Sequence, residues 1–493
     1  MQYLIKLDPD SRVSLQQQLR QQIANAILDG YLPSDRPLPS SRKLATQLGI
    51  ARNTVMLAYE HLVDDGFLIA RQRSGYFVNP EVLVGAVAEA SEDATQSAGL
   101  GGWERWIRPR PSEFINITKP RDWQHYRYCF IYGQVDASKF PTRHWRECWR
   151  DAVTVGAIRE WSMDSIDRDD ELLVEQIRTR LLPRRGVRAS NEEILVTVGA
   201  QHALYLTLQL LLNAKRTLGV ENPGYVDVRN IAAMTTVPVK PLAIDSEGLI
   251  PDESLADCDC VYVTPSHQSP TTVTMPKTRR KRLLELAEAH DFLIIEDDYE
   301  PETRFDGRPE AALKSMDRNE RVIYVGSLSK TLAPGLRLGY LVGPPAFIRE
   351  ARALRRLMLR HPASNNQRAV ALFLSRGYHD SLLAQLRPVY EQRSRIMQAA
   401  LAEHLPGFYF EPGHGGSSVW VVGPEHLDAH VLADKARTMD ILIETGDIFF
   451  YQDEPPRNCF RLAYSSISTE DIEPGIAKLG MLARQIMSES RDQ

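Results

Sequence analysis

The stretch that decides the fold is Gly326-Ser-Leu-Ser-Lys330-Thr-Leu-Ala-Pro-Gly-Leu-Arg337-Leu-Gly-Tyr340. It follows the apolar run 321–325, which is typical of a buried strand. A lysine just beyond such a run, among small residues, can lose its proton in a pocket and attack a carbonyl. Arg337, further along the stretch, has the chemistry to bind a phosphate. On this stretch alone, a solvated loop lysine explains Lys330 equally well, so the rest of the chain has to decide.

The length of 493 residues exceeds what one hydrophobic core usually supports, so we expect two or three domains. With 43% hydrophobic and 25% charged residues, the composition is that of a soluble globular protein. No apolar run reaches the roughly 18 residues that a membrane span needs, and no secretory signal is visible. Five scattered cysteines favour reduced thiols. The sequence therefore predicts a cytoplasmic protein without a membrane partner.

The N-terminal part has the pattern of a winged helix-turn-helix. Apolar residues recur every four positions over 15–27, a second helix is expected at 41–48 before Gly49, and a third begins at Arg52. Helix, glycine turn and helix in this order indicate a helix-turn-helix. Residues 67–78 then alternate apolar side chains around a turn with a glycine, which predicts a β-hairpin wing.

A winged helix that binds DNA needs cations beside phosphates and hydrogen-bonding side chains beside base edges. Seven side chains are placed for these roles: Arg42, Lys43, Arg52, Asn53, Thr54, Arg71 and Arg73. The alternative is a helical protein-interaction domain whose charges are merely solvated. Four segments closely resemble the DNA-binding domain of the GntR family: 36–45, 52–55, 59–60 and 74–78. The resemblance implies double-stranded operator DNA as a partner.

The composition then divides the chain into three regions. Residues 81–112 are small and polar and cannot offset their ordering entropy by burial, so we predict a flexible linker there. It would join a DNA-binding domain at 1–80 to a second domain at 113–490. In the second domain, helical patterns alternate with apolar runs at 193–198, 260–263, 292–295 and 322–325. This alternation predicts an α/β sheet of buried parallel strands with helices on both faces.

Ligands of such sheets bind beyond the carboxyl ends of the strands, so the residues that follow each run are candidates for a site. Gly199, Ala200 and Gln201 follow the first run and open a helix, where small residues let backbone N–H groups approach an anion. Two small residues before a helix are weak support alone.

Later strand ends add polar and aromatic groups. Tyr225 is suited to stacking on a planar ring, although a core tyrosine has the same sequence signal. Gln268 and Ser269 lie in a polar turn. The run 296–300 holds four carboxylates in five positions, and Lys330 follows the next strand. So much negative charge at one strand end is costly unless a cation shares the site.

Pyridoxal 5'-phosphate would use these groups together. It needs a lysine for its imine, a carboxylate beside its pyridinium nitrogen, a hydroxyl near its phenolate oxygen, and a cation with N–H groups for its phosphate. All four occur at the predicted strand ends. A metal site needs more oxygen or imidazole ligands than the sequence supplies there, so no metal is expected.

A second resemblance covers the rest of the chain. Residues 115–485 are similar to a fold-type I aminotransferase domain, and with the GntR-like head the whole chain resembles the MocR/GabR family of regulators. The resemblance implies a mainly α winged helix-turn-helix joined to an α/β fold-type I PLP-dependent aminotransferase-like domain. Family members assemble as dimers, so a homodimer is expected.

The resemblance also implies roles for single residues. Lys330 would form the Schiff base with pyridoxal phosphate, Asp297 would pair with the pyridinium, and Tyr299 would contact the phenolate oxygen. Tyr225 would stack on the ring, with Ser269 or Gln268 on its phenolate side. The phosphate would be held by Ser327, Arg337 and the backbone of Gly199, Ala200 and Gln201. Arg461, in the motif Cys459-Phe-Arg-Leu-Ala-Tyr464, would bind the carboxylate of an effector.

The chain departs from the family pattern in two places. Trp161–Asp170 replaces the usual Tyr-Gly-Asp-Pro-x-Gly segment, which in family dimers reaches the neighbouring subunit's phosphate. Thr272 stands where a glycine commonly follows Pro-Thr. Both departures bear on ligand selection and on contacts between subunits.

Three functions remain open at this point. The favoured one is a PLP-dependent DNA-binding transcription regulator that senses an amino acid or amine by external aldimine formation. The alternatives are an active aminotransferase with a vestigial DNA-binding head and a regulator that has lost its cofactor. The intact set of cofactor residues counts against the last. Sensors and transaminases share imine chemistry, so residual half-transamination, effector identity, target genes and the direction of regulation are not decided by the sequence.

Overall fold

The structure is a computed structural model of the chain, and it divides the molecule into two compact units, Met1–Arg108 and Pro109–Gln493. Most of the predicted linker lies outside the described residues. A short helix, Pro80–Val84, is described where the predicted linker begins. The structure describes residues 5–9, 11, 13–71, 74–84, 103, 106–300, 305, 310–412 and 415–491.

The first unit is a three-helix domain with a β-hairpin, which confirms the predicted winged helix-turn-helix. Ser14 and Ser40 cap its first two helices, because each hydroxyl accepts a hydrogen bond from the backbone N–H three residues further on. Gly49 ends the second helix in a left-handed conformation, with φ of 67°. The elements are α1 (Leu15–Leu28), α2 (Ser41–Leu48), α3 (Arg52–Asp64), β1 (Leu68–Arg71), β2 (Gly75–Val78) and α4 (Pro80–Val84).

Tyr59 ties the wing to the helices. Its ring is fully buried in α3 and lies 4.9 Å, centre to centre, from the ring of Tyr76 in β2. Its hydroxyl donates a hydrogen bond of 2.9 Å to the carbonyl of Pro39, just before α2. One side chain therefore holds both helices of the helix-turn-helix and the wing in register.

The second unit is built on an eight-stranded sheet in the order β4-β11-β10-β9-β8-β5-β6-β7. The four strands predicted from sequence are present and run in one direction, as expected. Two other strands of the sheet run in the opposite direction: β11 pairs antiparallel with both β10 and β4, and β7 pairs antiparallel with β6 at the edge. The strands are β3 (Tyr128–Cys129), β4 (Ile194–Thr197), β5 (Leu218–Asn222), β6 (Val239–Asp245), β7 (Gly248–Leu249), β8 (Cys260–Val263), β9 (Leu293–Asp298), β10 (Val322–Ser327) and β11 (Gly339–Val342).

Helices cover both faces of this sheet, which confirms the predicted fold class. Along β10, Ile323 and Val325 pack into the core on one face, whereas Tyr324 packs into the core on the other. The helices are α5 (Thr142–Ala152), α6 (Val155–Trp161), α7 (Glu171–Gln176), α8 (Leu182–Arg184), α9 (Gly199–Leu211), α10 (Val226–Met234), α11 (Lys277–Ala289), α12 (Leu313–Met316), α13 (Pro345–Leu359), α14 (Ser364–Ser375), α15 (Tyr378–His404), α16 (Ala429–Arg437) and α17 (Thr469–Arg491).

A smaller four-stranded sheet, in the order β12-β13-β16-β15, lies toward the C-terminus and carries Arg461 on β16. In the part of the chain that the structure describes, no helix is both long and apolar enough to cross a membrane. The remaining strands are β12 (Tyr409–Phe410), β13 (Ser418–Val422), β14 (Ile441–Leu442), β15 (Glu444–Thr445) and β16 (Cys459–Ala463).

Candidate functional site

The predicted DNA-binding side chains lie on one small domain. Arg42, Lys43, Arg52 and Asn53 are exposed at the starts of α2 and α3, and Thr54 is half-buried. α3 begins without a side-chain cap, so no side chain competes with a phosphate for the N–H groups at its start. Arg71 lies 4.4 Å from the ring centre of Phe77 in the wing. Arg73 lies outside the described residues.

The second unit contains a cavity of about 290 Å³ at the carboxyl ends of the central strands. It gathers side chains from both sheets and from the segment that precedes β3. Its lining residues are Asn116, Ile117, Lys119, Tyr132, Gly133, Ala200, Gln201, Leu204, Tyr225, Asp227, Tyr262, Ser269, Asp297, Tyr299, Ser327, Ser329, Lys330, Arg337, Glu444 and Arg461.

One end of the cavity is built for an anion. Gly199 opens α9 with φ of +75°, and a Cβ there would lie 3.2 Å from Nη2 of Arg337. Arg337 itself has a left-handed backbone, with φ of 48°. Ser327 and Ser329 add buried hydroxyls, and Oγ of Ser329 has no hydrogen-bond partner. A guanidinium, a helix N-terminus and two hydroxyls together suit a phosphate.

Asp297 lies deeper in the cavity, at the end of β9. Its Oδ2 accepts a hydrogen bond of 2.8 Å from the hydroxyl of Tyr262, whereas its buried Oδ1 has no partner. Burial raises the pKa of Asp297 from 3.8 to about 7, and the Tyr262 hydrogen bond and the charge of Lys330 oppose this rise. An acceptor oxygen left buried without a donor is suited to a protonated ring nitrogen.

The acidic run 296–300 does not converge on one site, contrary to the expectation from sequence. Glu296 accepts hydrogen bonds of 2.7 Å from the N–H groups of Leu313 and Lys314, and Asp298 pairs with Arg185 at 2.7 Å. Side chains alternate along a strand, so these two carboxylates point away from Asp297. Arg185 and the two N–H groups that offset these carboxylates are part of the fold. Of the carboxylates in the run 296–300, only Asp297 lines the cavity.

Lys330 is half-buried, and burial lowers the pKa of its amine to about 8. Its Nζ lies 4.0 Å from the ring centre of Tyr132. Gly133, with φ of +83°, leaves room for this amine, because a Cβ there would lie 2.8 Å from Nζ. A lysine with this pKa has a sizeable unprotonated fraction near neutral pH, as a nucleophilic amine requires.

The aromatic residues and Gln201 are held by neighbours. Asp227 accepts hydrogen bonds from the Tyr225 hydroxyl at 2.8 Å and from Gln201 Nε2 at 3.1 Å. Tyr299 lines the cavity and lies edge-on to Tyr132, with 6.5 Å between ring centres. The two predicted tyrosines therefore share the cavity with Lys330.

Ser269 lines the cavity and Gln268 does not, which separates the two candidates that the sequence left open. Nε2 of Gln268 donates to the carbonyl of Pro223, and its Oε1 accepts from the N–H and the hydroxyl of Thr271. Gln268 thus shapes the turn. Thr272 follows in that turn with φ of 66°, a left-handed conformation in which a β-branched residue is strained.

Arg461 is buried at the opposite end of the cavity and already has an acidic partner. Its Nε and Nη2 each lie 2.9 Å from Oε2 of Glu444 on β15. Its Cζ lies 4.1 Å from the ring centre of Tyr132. The sequence suggested an arginine that clamps an effector carboxylate, whereas the structure adds a protein carboxylate to the same guanidinium.

The segment Trp161–Asp170 does not line the cavity. Asp169 is buried and pairs with Arg352 at 3.0 Å and with Arg355 at 2.5 Å. Asp170 caps α7 and pairs with Arg368 at 2.6 Å. These ion pairs anchor the segment to α13 and α14.

Sequence reasoning missed several residues of the cavity. Tyr132, Lys119 and Glu444 come from segments outside the predicted strands, and Ser329 was passed over between Ser327 and Lys330. Gly133 carried the one usable signal, because a glycine after an aromatic residue often marks a positive φ or a close approach.

Comparisons with known proteins agree with this architecture. The family described as "Bacterial regulatory proteins, gntR family" matches residues 15–78, and "Aminotransferase class I and II" matches residues 166–479. The chain is 43% identical to the HTH-type transcriptional regulator TauR of Rhodobacter capsulatus, over 97% of this chain and 98% of that protein. It is 29% identical to the probable rhizopine catabolism regulatory protein MocR of Rhizobium meliloti, over 97% and 95% of the two chains.

Among solved structures, a kynurenine aminotransferase of Pyrococcus horikoshii in complex with PMP superposes with a TM-score of 0.70. It is 27% identical and covers 79% of this chain and 99% of its own. Fold and site together define a helix-turn-helix transcription regulator whose second unit has the fold-type I aminotransferase fold. The chain belongs to the MocR/GabR-type family of these regulators.

The raised pKa of Asp297 predicts a pH-dependent stability. Burial favours the protonated form of Asp297 in the folded protein. Its contribution to the free energy of unfolding is therefore fully present below pH 4 and is lost as the pH rises through about 7. In the cofactor-free protein, Asp297→Asn should therefore raise the free energy of unfolding above pH 7, by about 2–4 kcal/mol. Thermal unfolding between pH 4 and 8 measures this gain.

Asp257→Asn is the control, because Lys240 lowers the pKa of this exposed carboxylate. Asp257→Asn should not raise the free energy of unfolding at high pH. An Asp297→Asn gain of the same size at pH 4 and pH 8 would contradict the assignment.

Proposed function

We propose that the aminotransferase-like unit binds pyridoxal 5'-phosphate in this cavity and senses a small primary amine there, and that the winged helix reads operator DNA. One observation carries the proposal. A single cavity joins a lysine amine of lowered pKa, a buried carboxylate oxygen without a donor, and an arginine beside a helix N-terminus. These are the groups that the aldehyde, the ring nitrogen and the phosphate of this cofactor need.

Different residues of the cavity would bind the phosphate, the ring nitrogen and the aldehyde of the cofactor. Arg337, Ser327, Ser329 and the N-terminus of α9 would hold the phosphate, and Asp297 would accept a hydrogen bond from the ring nitrogen. Bound there, the cofactor supplies an aldehyde that condenses reversibly with amines. Lys330 would hold its amine at that aldehyde and give way to an amine ligand.

The remaining residues would orient the ring and the ligand. Tyr225, fixed by Asp227, would stack on the ring, and Ser269 and Tyr299 would stand on its phenolate side. Arg461 would bind an acidic group of the ligand at the far end of the cavity. Recognition by condensation plus an anion contact favours amino acids and related amines over other metabolites.

The regulator would act as a homodimer. Exposed apolar side chains on Met163 and Leu357, 66% and 81% exposed, belong to two segments that an ion pair between Asp164 and Arg360 holds together. Clustered exposed apolar residues of this kind favour a protein interface. A two-fold symmetric dimer would also present two recognition helices to a pair of operator half-sites.

Leu357→Glu should shift the protein from dimer to monomer in sedimentation velocity at micromolar concentration, because a buried charge in an apolar interface is costly. Met481→Glu, on the exposed side of α17, is the matched control and should leave the dimer unchanged. A dimer that survives the Leu357 substitution would show that this patch is not the interface.

Lys330→Ala should abolish the visible absorption band that appears when the protein is mixed with pyridoxal phosphate, because the other lysine that lines the cavity, Lys119, is already held by the carbonyl of Tyr132 and by Glu444. Lys281→Ala, an exposed lysine on α11, should keep the band. A colourless wild-type protein, or a band retained in Lys330→Ala, would overturn the cofactor assignment.

Arg52→Ala should weaken binding to the operator by roughly tenfold and reduce the salt dependence of binding, because one phosphate or base contact is lost. The visible band should be unaffected. Arg349→Ala, which removes the same charge from an exposed position on α13, should bind DNA as the wild type does. Fluorescence anisotropy at two salt concentrations separates the two results, and equal losses in both variants would argue against a role for α3.

A further inference from the structure

Lys119 places a second cation at the effector end of the cavity. It lies in the segment before β3, and its Nζ donates a hydrogen bond to the carbonyl of Tyr132. The same Nζ lies 3.8 Å from Oε1 of Glu444, and the side chain is 28% exposed. An ammonium group has three N–H donors, so Lys119 retains donors for a ligand.

Glu444 stands between the two cations. Its Oε2 accepts a hydrogen bond from Nε of Arg461 and forms an ion pair with Nη2, while its buried Oε1 has no hydrogen-bond partner and faces Lys119. Nη1 of Arg461 donates to no acceptor among the described residues. The guanidinium is thus held by a carboxylate at one edge and open at another.

The charges in this cluster do not cancel. Lys119 and Arg461 are positive and Glu444 is negative, so these three side chains together leave one positive charge in a largely buried place. Lys330 and the buried Glu300, which interact with this cluster, have opposite charges and add no net charge. Burial lowers the pKa of Lys119, the positive charge of Arg461 lowers it further, and Glu444 opposes both. An unmatched buried charge is costly, and a single negative ligand group would neutralise it.

The geometry also restricts the length of the ligand. Nζ of Lys330 and Cζ of Arg461 lie 4.0 Å and 4.1 Å from the centre of the same ring, that of Tyr132. The ligand's amine would replace the amine of Lys330, and its acidic group would meet Arg461 and Lys119. Nζ and Cζ are therefore at most 8.1 Å apart, which restricts the ligand to a short chain between its amine and its acidic group.

We propose that Lys119 is a second anion-binding residue of the effector site, acting with Arg461, and that Glu444 restricts this site to one singly charged acidic group. The effector class is then a short primary amine with a single monoanionic group. This inference rests on the proposed function, which supplies the amine-binding end of the site.

Lys119→Met and Lys119→Arg test the anion contact in the cofactor-loaded full-length protein. The probes are β-alanine, which has both groups, propylamine, which lacks the acid, and propionate, which lacks the amine. Lys119→Met should weaken the binding of β-alanine and of propionate by about tenfold or more, as expected for the loss of a charged hydrogen bond. Propylamine should bind as in the wild type, and Lys119→Arg should restore much of the acid binding.

Spectral titration follows the two amines, and calorimetry follows propionate, whose binding involves no condensation with an aldehyde. Glu444→Gln tests whether Glu444 restricts the site to a singly charged acidic group, because the substitution removes a negative charge and so raises the net charge of the cluster by one. The ratio of aspartate affinity to β-alanine affinity should rise in this variant. Thermal unfolding of each variant checks that the fold is kept.

Three results would overturn the inference: unchanged β-alanine affinity in Lys119→Met, an equal loss for propylamine, or a wild-type protein that does not bind propionate. The proposed function fails differently. A wild-type protein without a spectral response to either amine would refute amine sensing, while propionate binding that depends on Lys119 would still support the anion site.

Discussion

The close approach of β11 to the start of α9 is the constraint on which the site depends. A Cβ on Gly339 would lie 2.7 Å from the carbonyl carbon of Gly199 and 2.9 Å from the N–H of Ala200. No side chain fits there. Because β11 runs antiparallel to its neighbours, its first residue lies beside the last residues of β4 and β10. Arg337, two residues before β11, is thereby placed at the same edge of the sheet as Lys330.

Electrostatics divides the cavity into two ends with Lys330 between them. At one end a guanidinium, hydroxyls and a helix N-terminus form an environment suited to an anion, and burial raises the pKa of Asp297 to about 7. At the other end Arg461 and Glu444 are paired in the protein itself. A ligand that joins the two ends changes the charge balance of buried groups, which is the kind of change that can favour one conformation over another. Effector binding regulates DNA binding only if the two conformations bind the effector unequally.

Local sequence predicted the groups at the ends of strands and in the loops that follow them. Lys330, Asp297 and Ser269 were found because a strand's end fixes where the next residues lie, and the winged helix was found because its caps and glycine turn are local signals. Strand alternation separated Glu296 and Asp298 from Asp297, which a count of carboxylates could not reveal. Lys119, Tyr132 and Glu444 are distant in sequence and meet only through tertiary packing. The antiparallel direction of β11 is also a tertiary property.

If an amine bound in the cavity controls DNA binding, it must change how the protein protects its operator. Cofactor-loaded protein is footprinted on its operator with and without a panel of short amino acids and amines, alongside Lys330→Ala. We expect one class of amine to change the affinity or the protected pattern for the wild type and to change neither for Lys330→Ala. Identical footprints with every amine, or the same response in Lys330→Ala, would contradict it.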